Sequence, residues 1–237
     1  MPEHDLVIVT DTLVEGVHFD TTTPPRAIGH KSVAVNLSDL AAMGAQPCWI
    51  SLALTLPGMD EDWLQEFSGG LDEICSYYDC QLIGGDTTKG PLTVTITAHG
   101  QLPSGSAIPR SGAKAGDWIY VSGSLGDAGL GLQVTQNKVS TTGRHLQQVI
   151  ERLHYPTPRV ALGQSLRGVA SSCIDISDGL LADLRHLMTE AGTQAQLELE
   201  KLPLSLALTE TLQVDDALAL ALTAGDDYEL CFTLPEE

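Results

Sequence analysis

The chain has 237 residues, of which 43% are hydrophobic, and its 31 acidic and 12 basic residues give a formal net charge of −19. This charge argues against binding to nucleic acid or to an anionic membrane, because both require a basic surface. The apolar content is sufficient for a sizeable core and argues against intrinsic disorder. The five cysteines have no CxxC spacing, and "MPEHDLVIVT" lacks a basic or long apolar leader, so we expect free thiols and a cytoplasmic protein.

Hydropathy patterns in the first half predict alternating strands and helices. The short apolar run Leu6–Thr10 predicts a strand that ends at Asp11, where a loop begins. Further strands are predicted at 49–56, 81–86 and 92–102, and helices at 28–43 and 60–78, the second with Asp60 as its cap. Of these strands, "QLIGGD" at 81–86 is expected to be buried.

The second half begins after a change in composition. Residues 103–117 are rich in Pro, Gly, Ser and Lys, which places the boundary between predicted domains at 1–112 and 113–237. "WIYVSGSLGDAGLGL" then predicts a strand, a glycine-rich loop and a helix. The remaining predictions are strands at 171–177, 195–200 and 228–234 and helices at 144–153, 160–166, 179–191, 205–212 and 215–223. Because each half mixes strands and helices, the predicted fold class is α+β with two domains.

Seven aspartates lie at the ends of apolar elements or on one defined helix face: Asp11, Asp39, Asp86, Asp175, Asp178, Asp226 and Asp227. Asp39 is the most informative, because it follows Asn36 by one turn inside an Ala- and Leu-rich helix, where an unpaired carboxylate is costly. Each aspartate alone could be a helix cap or a turn residue. Their number, with few Lys or Arg residues nearby, favours a multi-metal site in which Mg²⁺ bridges to substrate phosphates.

Common nucleotide-binding and hydrolase signatures are absent from the sequence. It contains no GxxxxGK[ST] loop, no HRD or DFG motif and no GxSxG elbow. The segment "SGSLGDAGLG" could bind a phosphate through its backbone N–H groups, or it could form a tight turn packed on a helix. Both interpretations stay open. His18, alone in a glycine-containing loop, is by itself an ordinary loop histidine.

Six motifs follow one another over most of the chain: "TDTLVEGVHF", "HKSVAVNLSDLAAMGAQP", "YDCQLIGGDTTKGPL", "PRSGAKAGDWIYVSGSLGD", "IDISDGLLADL" and "GDDYELCF". Together they resemble the thiamine-monophosphate kinase family, which belongs to the aminoimidazole ribonucleotide synthetase-like ATP-using enzymes. The resemblance implies ATP-dependent phosphorylation of thiamine phosphate by direct in-line transfer with several Mg²⁺ ions. It also implies an N-terminal domain that forms a homodimer through its sheet, followed by a C-terminal α+β domain.

The resemblance assigns residue roles by motif. The implied metal ligands are Thr10, Asp11, Asp39, Asp86, Asp175 and Asp178; the implied ATP contacts are Gly85, Asp86, Arg110 and Ser177; the implied thiamine phosphate contacts are His18 and Asp226. No side chain is assigned as a catalytic base. Phosphoryl transfer depends mainly on positioning and charge neutralisation, which fits a site rich in carboxylates and poor in histidine.

The sequence also departs from the family pattern. The family begins some tens of residues earlier, with a "GDD" segment that supplies another metal ligand, and it continues well past "FTLPEE". We therefore expect this chain to be an internal part of the complete enzyme. Other ATP-using members of the superfamily remain alternatives, although the "EGVHF" loop argues against selenophosphate synthetase, the hydrogenase-maturation protein and the purine-pathway synthetases. A non-catalytic Mg-nucleotide-binding or dimerisation fragment is a further alternative.

Overall fold

The computed structural model describes residues 3–236, and over this range the first half of the chain forms one four-stranded sheet with two helices. The elements are β1 (His4–Val14), α1 (Pro25–Ala42), β2 (Gln46–Leu56), α2 (Glu61–Tyr77), β3 (Gln81–Lys89) and β4 (Thr93–Pro103). The strand order is β1-β4-β2-β3. β4 is antiparallel to both of its neighbours, whereas β2 and β3 are parallel because the chain returns between them through α2.

Both helices begin and end where their sequences favour it. α1 has a proline in its first turn, and Gly44, with φ of +75°, lies just beyond its end. α2 follows Asp60, whose side chain accepts a hydrogen bond from the backbone N–H of Trp63 at 3.0 Å, so the predicted cap is confirmed. The two helices are in backbone contact, because a Cβ atom on Gly29 would lie 2.1 Å from the carbonyl oxygen of Phe67.

Two strand predictions in the first half are wrong. β1 does not end at Asp11 but continues to Val14, because β4 offers it pairing partners over this whole length, with Ile96 opposite Asp11. The strand that contains "QLIGGD" is exposed along its whole length rather than buried. The reason is its place in the sheet: β3 is an outer strand that has β2 as its only neighbour among the described residues.

The second half of the described chain forms a three-stranded sheet with helices around it. Its elements are β5 (Trp118–Val121), α3 (Asp127–Thr135), α4 (Gly143–His154), α5 (Val160–Ser165), β6 (Ser172–Asp175), α6 (Leu180–Ala191), α7 (Leu206–Thr211), α8 (Val214–Thr223) and β7 (Leu230–Leu234). The order is β5-β7-β6, with antiparallel pairing throughout. The strand predicted at 195–200 is wrong: within the described part of the chain no strand pairs with it, Leu197 packs on the core instead, and a short 3₁₀ helix covers Leu199–Lys201. Among residues 3–236, no helix is long and apolar enough to cross a membrane.

α1 joins the two halves of the molecule. Each half has a core of its own, and a third apolar cluster lies between them, in which Ala41 of α1 packs with Val160 and Phe232. The contact is close, because a Cβ atom on Gly163 of α5 would lie 1.9 Å from the carbonyl oxygen of Ala41. Almost every side chain of α1 is buried as a result. Two polar side chains of this helix reach the junction between the halves: Lys31 pairs with Asp226, and Asp39 lines the cavity described below.

The face of the first sheet that lies opposite α1 and α2, here called the open face, is left uncovered by the described residues. Leu6 and Ile8 on this face are 58% and 57% exposed. Its central side chains are Leu6, Ile8, Thr10, Thr12, Trp49, Ser51, Ala53, Asp86, Thr95, Thr97, His99 and Gln101. Asp86 is the only carboxylate among them, although the chain as a whole is strongly acidic.

Candidate active site

A cavity of about 640 Å³, here called the main cavity, lies at the junction of the two halves. Its walls come from β1 and the loop after it, from α1 and α3, and from the segments that follow β6 and precede β7. Seven of the residues predicted from the sequence line this cavity: Asp11, His18, Asp39, Asp175, Ser177, Asp178 and Asp226. The fold therefore brings together most of the predicted site from four separate parts of the chain.

Three aspartates form the acidic end of the main cavity. The side chains of Asp11 and Asp39 lie within hydrogen-bonding reach of each other, and the charge of Asp175 acts on Asp39. Burial, followed by the charges of Asp175 and Asp11, raises the pKa of Asp39 to about 8. Burial also raises the pKa of Asp11, and it raises that of Asp175 to about 6. Burial, with mutual repulsion as a further cause, therefore disfavours the ionised forms of these carboxylates.

The acidic end has the chemistry of a Mg²⁺ site that is shared with another ligand. Within residues 3–236, no group of three or more Asp, Glu, His or Cys side chains has the spacing of a complete metal site. Mg²⁺ commonly binds one or two carboxylates and keeps water or substrate phosphate oxygens as its other ligands. The buried hydroxyl of Ser38 faces Asp175 and, among the described residues, has no hydrogen-bond partner of good geometry. These side chains fit Mg²⁺ that is held jointly with a phosphate ligand.

Asn36 holds β1 and α1 together beside the acidic end. Its Oδ1 accepts a hydrogen bond from the backbone N–H of Asp11 at 3.1 Å, and its Nδ2 donates to the carbonyl oxygen of Ser32 at 3.0 Å. Asn36 is fully buried, so both ends of its amide are paired where unpaired groups would be costly. It fixes the backbone of Asp11 rather than lining the cavity.

The loop that carries Ser177 and Asp178 is fixed by a third side chain. One oxygen of Asp183, Oδ2, accepts hydrogen bonds from the backbone N–H groups of Ser177, Asp178 and Gly179 at 3.0, 3.0 and 3.1 Å. Asp183 lies in the first turn of α6 and is buried. The helix-cap reading of Asp178 is therefore wrong, because Asp183 receives these N–H groups and the side chain of Asp178 stays exposed at the cavity.

The segment before β7 reaches the main cavity in a strained conformation. Asp226 and Tyr228 have φ of +68° and +50°, in the left-handed region that residues other than glycine seldom adopt. Their N–H groups donate to the carbonyl oxygens of Ser177 and Ile176 at 2.9 and 2.8 Å. In addition, Nζ of Lys31 on α1 lies 3.1 Å from Oδ2 of Asp226. Asp226 is therefore held through both its main chain and its side chain.

The glycine-rich loop before α3 is a packed turn rather than an open phosphate cradle. Gly126 has φ of +88°, and a Cβ atom on it would lie 2.9 Å from the backbone nitrogen of Ala221. Its N–H donates to Oδ2 of the buried Asp227 at 2.7 Å. The next acidic residue, Glu229, is buried against Arg152 at 2.8 Å. The packing of Gly126 favours the tight-turn alternative, and Asp227 has a structural partner of its own.

His18 lies in the turn that follows β1. Gly16, with φ of +79°, permits the turn, and Nδ1 of His18 accepts a hydrogen bond from the backbone N–H of Val14 at 3.0 Å. A neutral imidazole in this arrangement carries its proton on Nε2, which is then available as a donor. His18 lines the main cavity and also a smaller cavity of about 170 Å³ next to it, here called the side cavity.

Thr10 and Arg110 lie beyond Asp39. With Asp39 they line a further cavity of about 410 Å³, so this cavity and the main cavity meet at Asp39. The charge of Arg110 opposes the rise in the pKa of Asp39 but does not cancel it. The hydroxyl of Thr10, however, points to the open face, where it is hydrogen-bonded to that of Thr97 at 2.9 Å. Its side chain is therefore turned away from the acidic end.

Gly85 and Asp86 do not join the site within one copy of the chain. β3 is separated from β1 by two strands, which corresponds to about 14 Å across the sheet. Asp86 also lies on the open face, whereas Asp11 lies on the face toward α1. Gly85 has a packing reason of its own, since a Cβ atom on it would lie 1.8 Å from the carbonyl oxygen of Leu52.

Sequence reasoning missed several residues that shape the site. Lys31, Ser38 and Asp183 were inside the quoted motifs but were not singled out. For Lys31 a signal existed, because it precedes Asp39 by eight residues on a predicted helix and so shares its face. For Asp183 no signal was available, because its three hydrogen bonds depend on how the loop folds back over α6.

Comparisons with known proteins identify the family to which the chain belongs. The sequence profile of the AIR synthase related protein N-terminal domain matches residues 1–102, and that of the C-terminal domain matches residues 114–237. Thiamine-monophosphate kinase of Escherichia coli K12 is 51% identical over 232 residues, which are 98% of this chain and 71% of that protein.

Solved structures give the same result. The crystal structure of thiamine-monophosphate kinase from Stenotrophomonas maltophilia K279a has a TM-score of 0.95 at 47% identity, and the match covers 99% of this chain and 76% of that one. AaThiL complexed with AMPPCP and TMP has a TM-score of 0.92 at 33% identity, over 99% of this chain and 77% of that one. The predicted two-part α+β fold is confirmed, and the protein is a kinase that belongs to the AIR synthase related proteins and, among them, to the thiamine-monophosphate kinase family.

Proposed function

We propose that this protein phosphorylates thiamine phosphate to thiamine diphosphate by direct in-line transfer from ATP. The observation that carries the proposal is the convergence of residues from separate segments on one cavity, which has carboxylates at one end and His18 and Asp226 at the other. The 51% identity to the Escherichia coli thiamine-monophosphate kinase supports the same activity. The AaThiL complex with AMPPCP and TMP supports a site for a nucleotide and an acceptor.

The acidic end is proposed to hold several Mg²⁺ ions. Asp11, Asp39 and Asp175 would hold the metal, and Asp178 is a further ligand at the edge of the cavity. Bound there, Mg²⁺ would neutralise the negative charge of the nucleotide phosphates. The clustering of these buried carboxylates in one cavity supports this assignment, and a nearby cation would favour the ionised forms that burial and their mutual repulsion disfavour.

The remaining contacts are proposed from the order of the cavities. Arg110 lies beyond Asp39 and, with Ser177, is assigned to ATP, since an exposed guanidinium can bind phosphate through two hydrogen bonds. His18 and Asp226 lie toward the side cavity and are assigned to thiamine phosphate. Phosphoryl transfer requires the donor phosphate and the acceptor oxygen to lie in line. The chain contributes by holding the two substrates from opposite sides of the acidic end.

A substrate comparison tests the activity. Turnover of ATP is measured with thiamine phosphate, with selenide and with an aminoimidazole precursor, and we expect turnover with thiamine phosphate alone. Turnover with the purine precursor alone would contradict the proposal. His18→Ala should raise KM for thiamine phosphate about tenfold, the value of one hydrogen bond to a charged group, and leave KM for ATP within about twofold. The control is His186→Ala, an exposed histidine on α6.

A second copy of the chain is proposed to cover the open face. This face exposes Leu6, Ile8 and Trp49, and it has few charges that would repel a partner. Gly85 and Asp86 would then contact ATP and metal at the dimer interface. Within one copy of the chain they lie too far from the main cavity to do so.

The oligomeric state is measured by light scattering. We expect a dimer for the wild-type protein and a monomer for Ile8→Glu. Val214→Glu, which places the same charge on an exposed apolar residue of α8, should remain dimeric. A monomeric wild-type protein would contradict the proposal.

Residues 1–112 and 113–237 are assigned to two domains, because each half contains its own sheet and core. Limited proteolysis should then cut first within 103–117, and a first cut elsewhere would move the boundary.

The cytoplasm is the proposed location, since all five cysteines are free, as expected in a reducing compartment, and cell fractionation tests it.

A further inference from the structure

Lys31 is a buried cation for which the proposed reaction has so far supplied no role. It is only 5% exposed, and its ammonium group lies 3.1 Å from Oδ2 of Asp226. Among residues 3–236, Asp226 is the only residue with which it forms a salt bridge. An ammonium group has three N–H donors, so one carboxylate leaves donors for a further ligand. Burial of a charge is costly, and the position therefore requires an explanation.

Its place on α1 relates Lys31 to the acidic end. Lys31, Val35 and Asp39 follow one another at intervals of four residues, so they lie on one face of the helix. Along the helix axis Lys31 and Asp39 are about 12 Å apart. Asp39 belongs to the acidic end, whereas Lys31 lines the side cavity. One face of α1 thus presents a carboxylate to one end of the site and an ammonium group to the other.

The side cavity is less acidic than the rest of the site. Besides Lys31 it is lined by His18 and His154, two side chains that can donate hydrogen bonds. Of its carboxylates, Asp226 is paired with Lys31. The other, Asp20, is turned to its own loop, where Oδ1 accepts hydrogen bonds from the N–H and the hydroxyl of Thr22 at 2.8 and 2.7 Å. The free donors of the side cavity therefore suit an anion.

We propose that Lys31 binds the phosphate group of the acceptor and so makes the enzyme select a phosphate monoester over the corresponding alcohol. The inference rests on the proposed function, in which the acceptor is thiamine phosphate. The ammonium group keeps its contact with Asp226 and donates a second hydrogen bond to a phosphate oxygen. Its paired carboxylate limits the cost of the buried charge when the acceptor is absent.

The experiment compares how the full chain binds thiamine phosphate and thiamine, by calorimetry with Mg²⁺ and AMPPCP present. We expect the wild-type protein to prefer thiamine phosphate. Lys31→Met should weaken the binding of thiamine phosphate about 10- to 100-fold, the size expected for a hydrogen bond to a charged group. The affinity for thiamine should stay within about twofold of the wild-type value. Lys114→Met, at an exposed lysine that lines none of the cavities described above, is the control and should keep the preference.

A double variant separates phosphate binding from a purely structural ion pair. Lys31→Met leaves Asp226 unpaired, whereas Lys31→Met combined with Asp226→Asn removes both charges. If Lys31 binds phosphate, the double variant also lacks the preference. A double variant that regains the preference, or a Lys31→Met variant that weakens both ligands equally, overturns the inference.

Inorganic phosphate distinguishes failure of the inference from failure of the proposed function. Lys31-dependent binding of inorganic phosphate, without turnover of thiamine phosphate, would retain the inference and remove the proposed acceptor. If Lys31→Met turns over thiamine phosphate and keeps the selectivity of the wild-type protein, the proposed function is retained and the inference about Lys31 is overturned. A wild-type protein that binds neither inorganic phosphate nor thiamine phosphate overturns both.

Discussion

The main cavity and the open face differ in how much of the predicted site they contain. The main cavity contains residues from β1, α1, the loop after β6 and the segment before β7, all within one copy of the chain. The open face contains Asp86 and the hydroxyl of Thr10, which point away from that cavity. The first region gathers most of the residues predicted for the site, whereas the second is an uncovered surface on which only the side chains of Thr10 and Asp86 belong to the predicted set.

A sequence motif identifies residue types but not the face of a sheet on which they act. "TDT" and "GGDTT" look alike as strand-associated carboxylates. Yet Asp11 is turned toward α1 and is bound through its N–H to Asn36, whereas Asp86 is turned to the opposite face. In one copy of the chain, only Asp11 can meet Asp39 and Asp175. The role of Asp86 therefore depends on what covers the open face.

The largest effect is expected for Asp39→Asn at the acidic end. This substitution keeps the shape of the side chain but removes the charge that is proposed to hold Mg²⁺. Loss of one electrostatic group that acts on the transition state costs roughly 10²–10³-fold in kcat. Asp60→Asn, at the cap of α2, is the matched control and should keep full turnover. A kcat of Asp39→Asn within about threefold of wild type would break the distinction between the two regions.

The cavity aspartates could be predicted from local sequence patterns, whereas the place of His18 in the site was implied only by the family resemblance. Asp39 lies one turn after Asn36 on an apolar helix, and Asp175 and Ser177 lie at the end of a buried strand. The exposure of β3 could not be predicted, since "QLIGGD" has the apolar composition of a buried strand and only the strand order makes it an outer one. The partner of Lys31 could not be predicted either, because Asp226 comes from the other half of the chain.

The next effect, on stability, distinguishes the two glycines of "GGD". A Cβ atom on Gly85 would lie 1.8 Å from the carbonyl oxygen of Leu52, whereas a Cβ atom on Gly84 would meet no atom within 4 Å. Gly85→Ala should therefore lower the free energy of unfolding by about 1–3 kcal/mol, as overpacking does. Gly84→Ala should change it by less than about 0.5 kcal/mol. Urea denaturation of both variants measures this, and equal stabilities would show that packing does not explain the glycine at 85.

A smaller effect is expected for Asp86→Asn, which tests how the open face participates. Affinity for AMPPCP with Mg²⁺ should fall about tenfold, as for one hydrogen bond to a charged group. The same substitution in the monomeric Ile8→Glu protein should have no effect, because Asp86 is proposed to act only at the dimer interface. Calorimetric titrations of the four proteins decide the matter. An equal loss in both backgrounds would place Asp86 in the site of its own copy and remove the need for a partner.

The smallest effect is expected at Asp60, an aspartate with a purely local role. Its side chain accepts the N–H of Trp63 in the first turn of α2, and it lies in none of the cavities described above. Asp60→Ala should lower the free energy of unfolding by about 1 kcal/mol, the usual value of a helix cap, and leave kcat and both KM values unchanged. Denaturation and steady-state kinetics on the same preparation measure the two quantities. A loss of activity without a loss of stability would mean that a charge far from the main cavity influences the reaction. The effect of Asp39→Asn could then no longer be assigned to the acidic end alone.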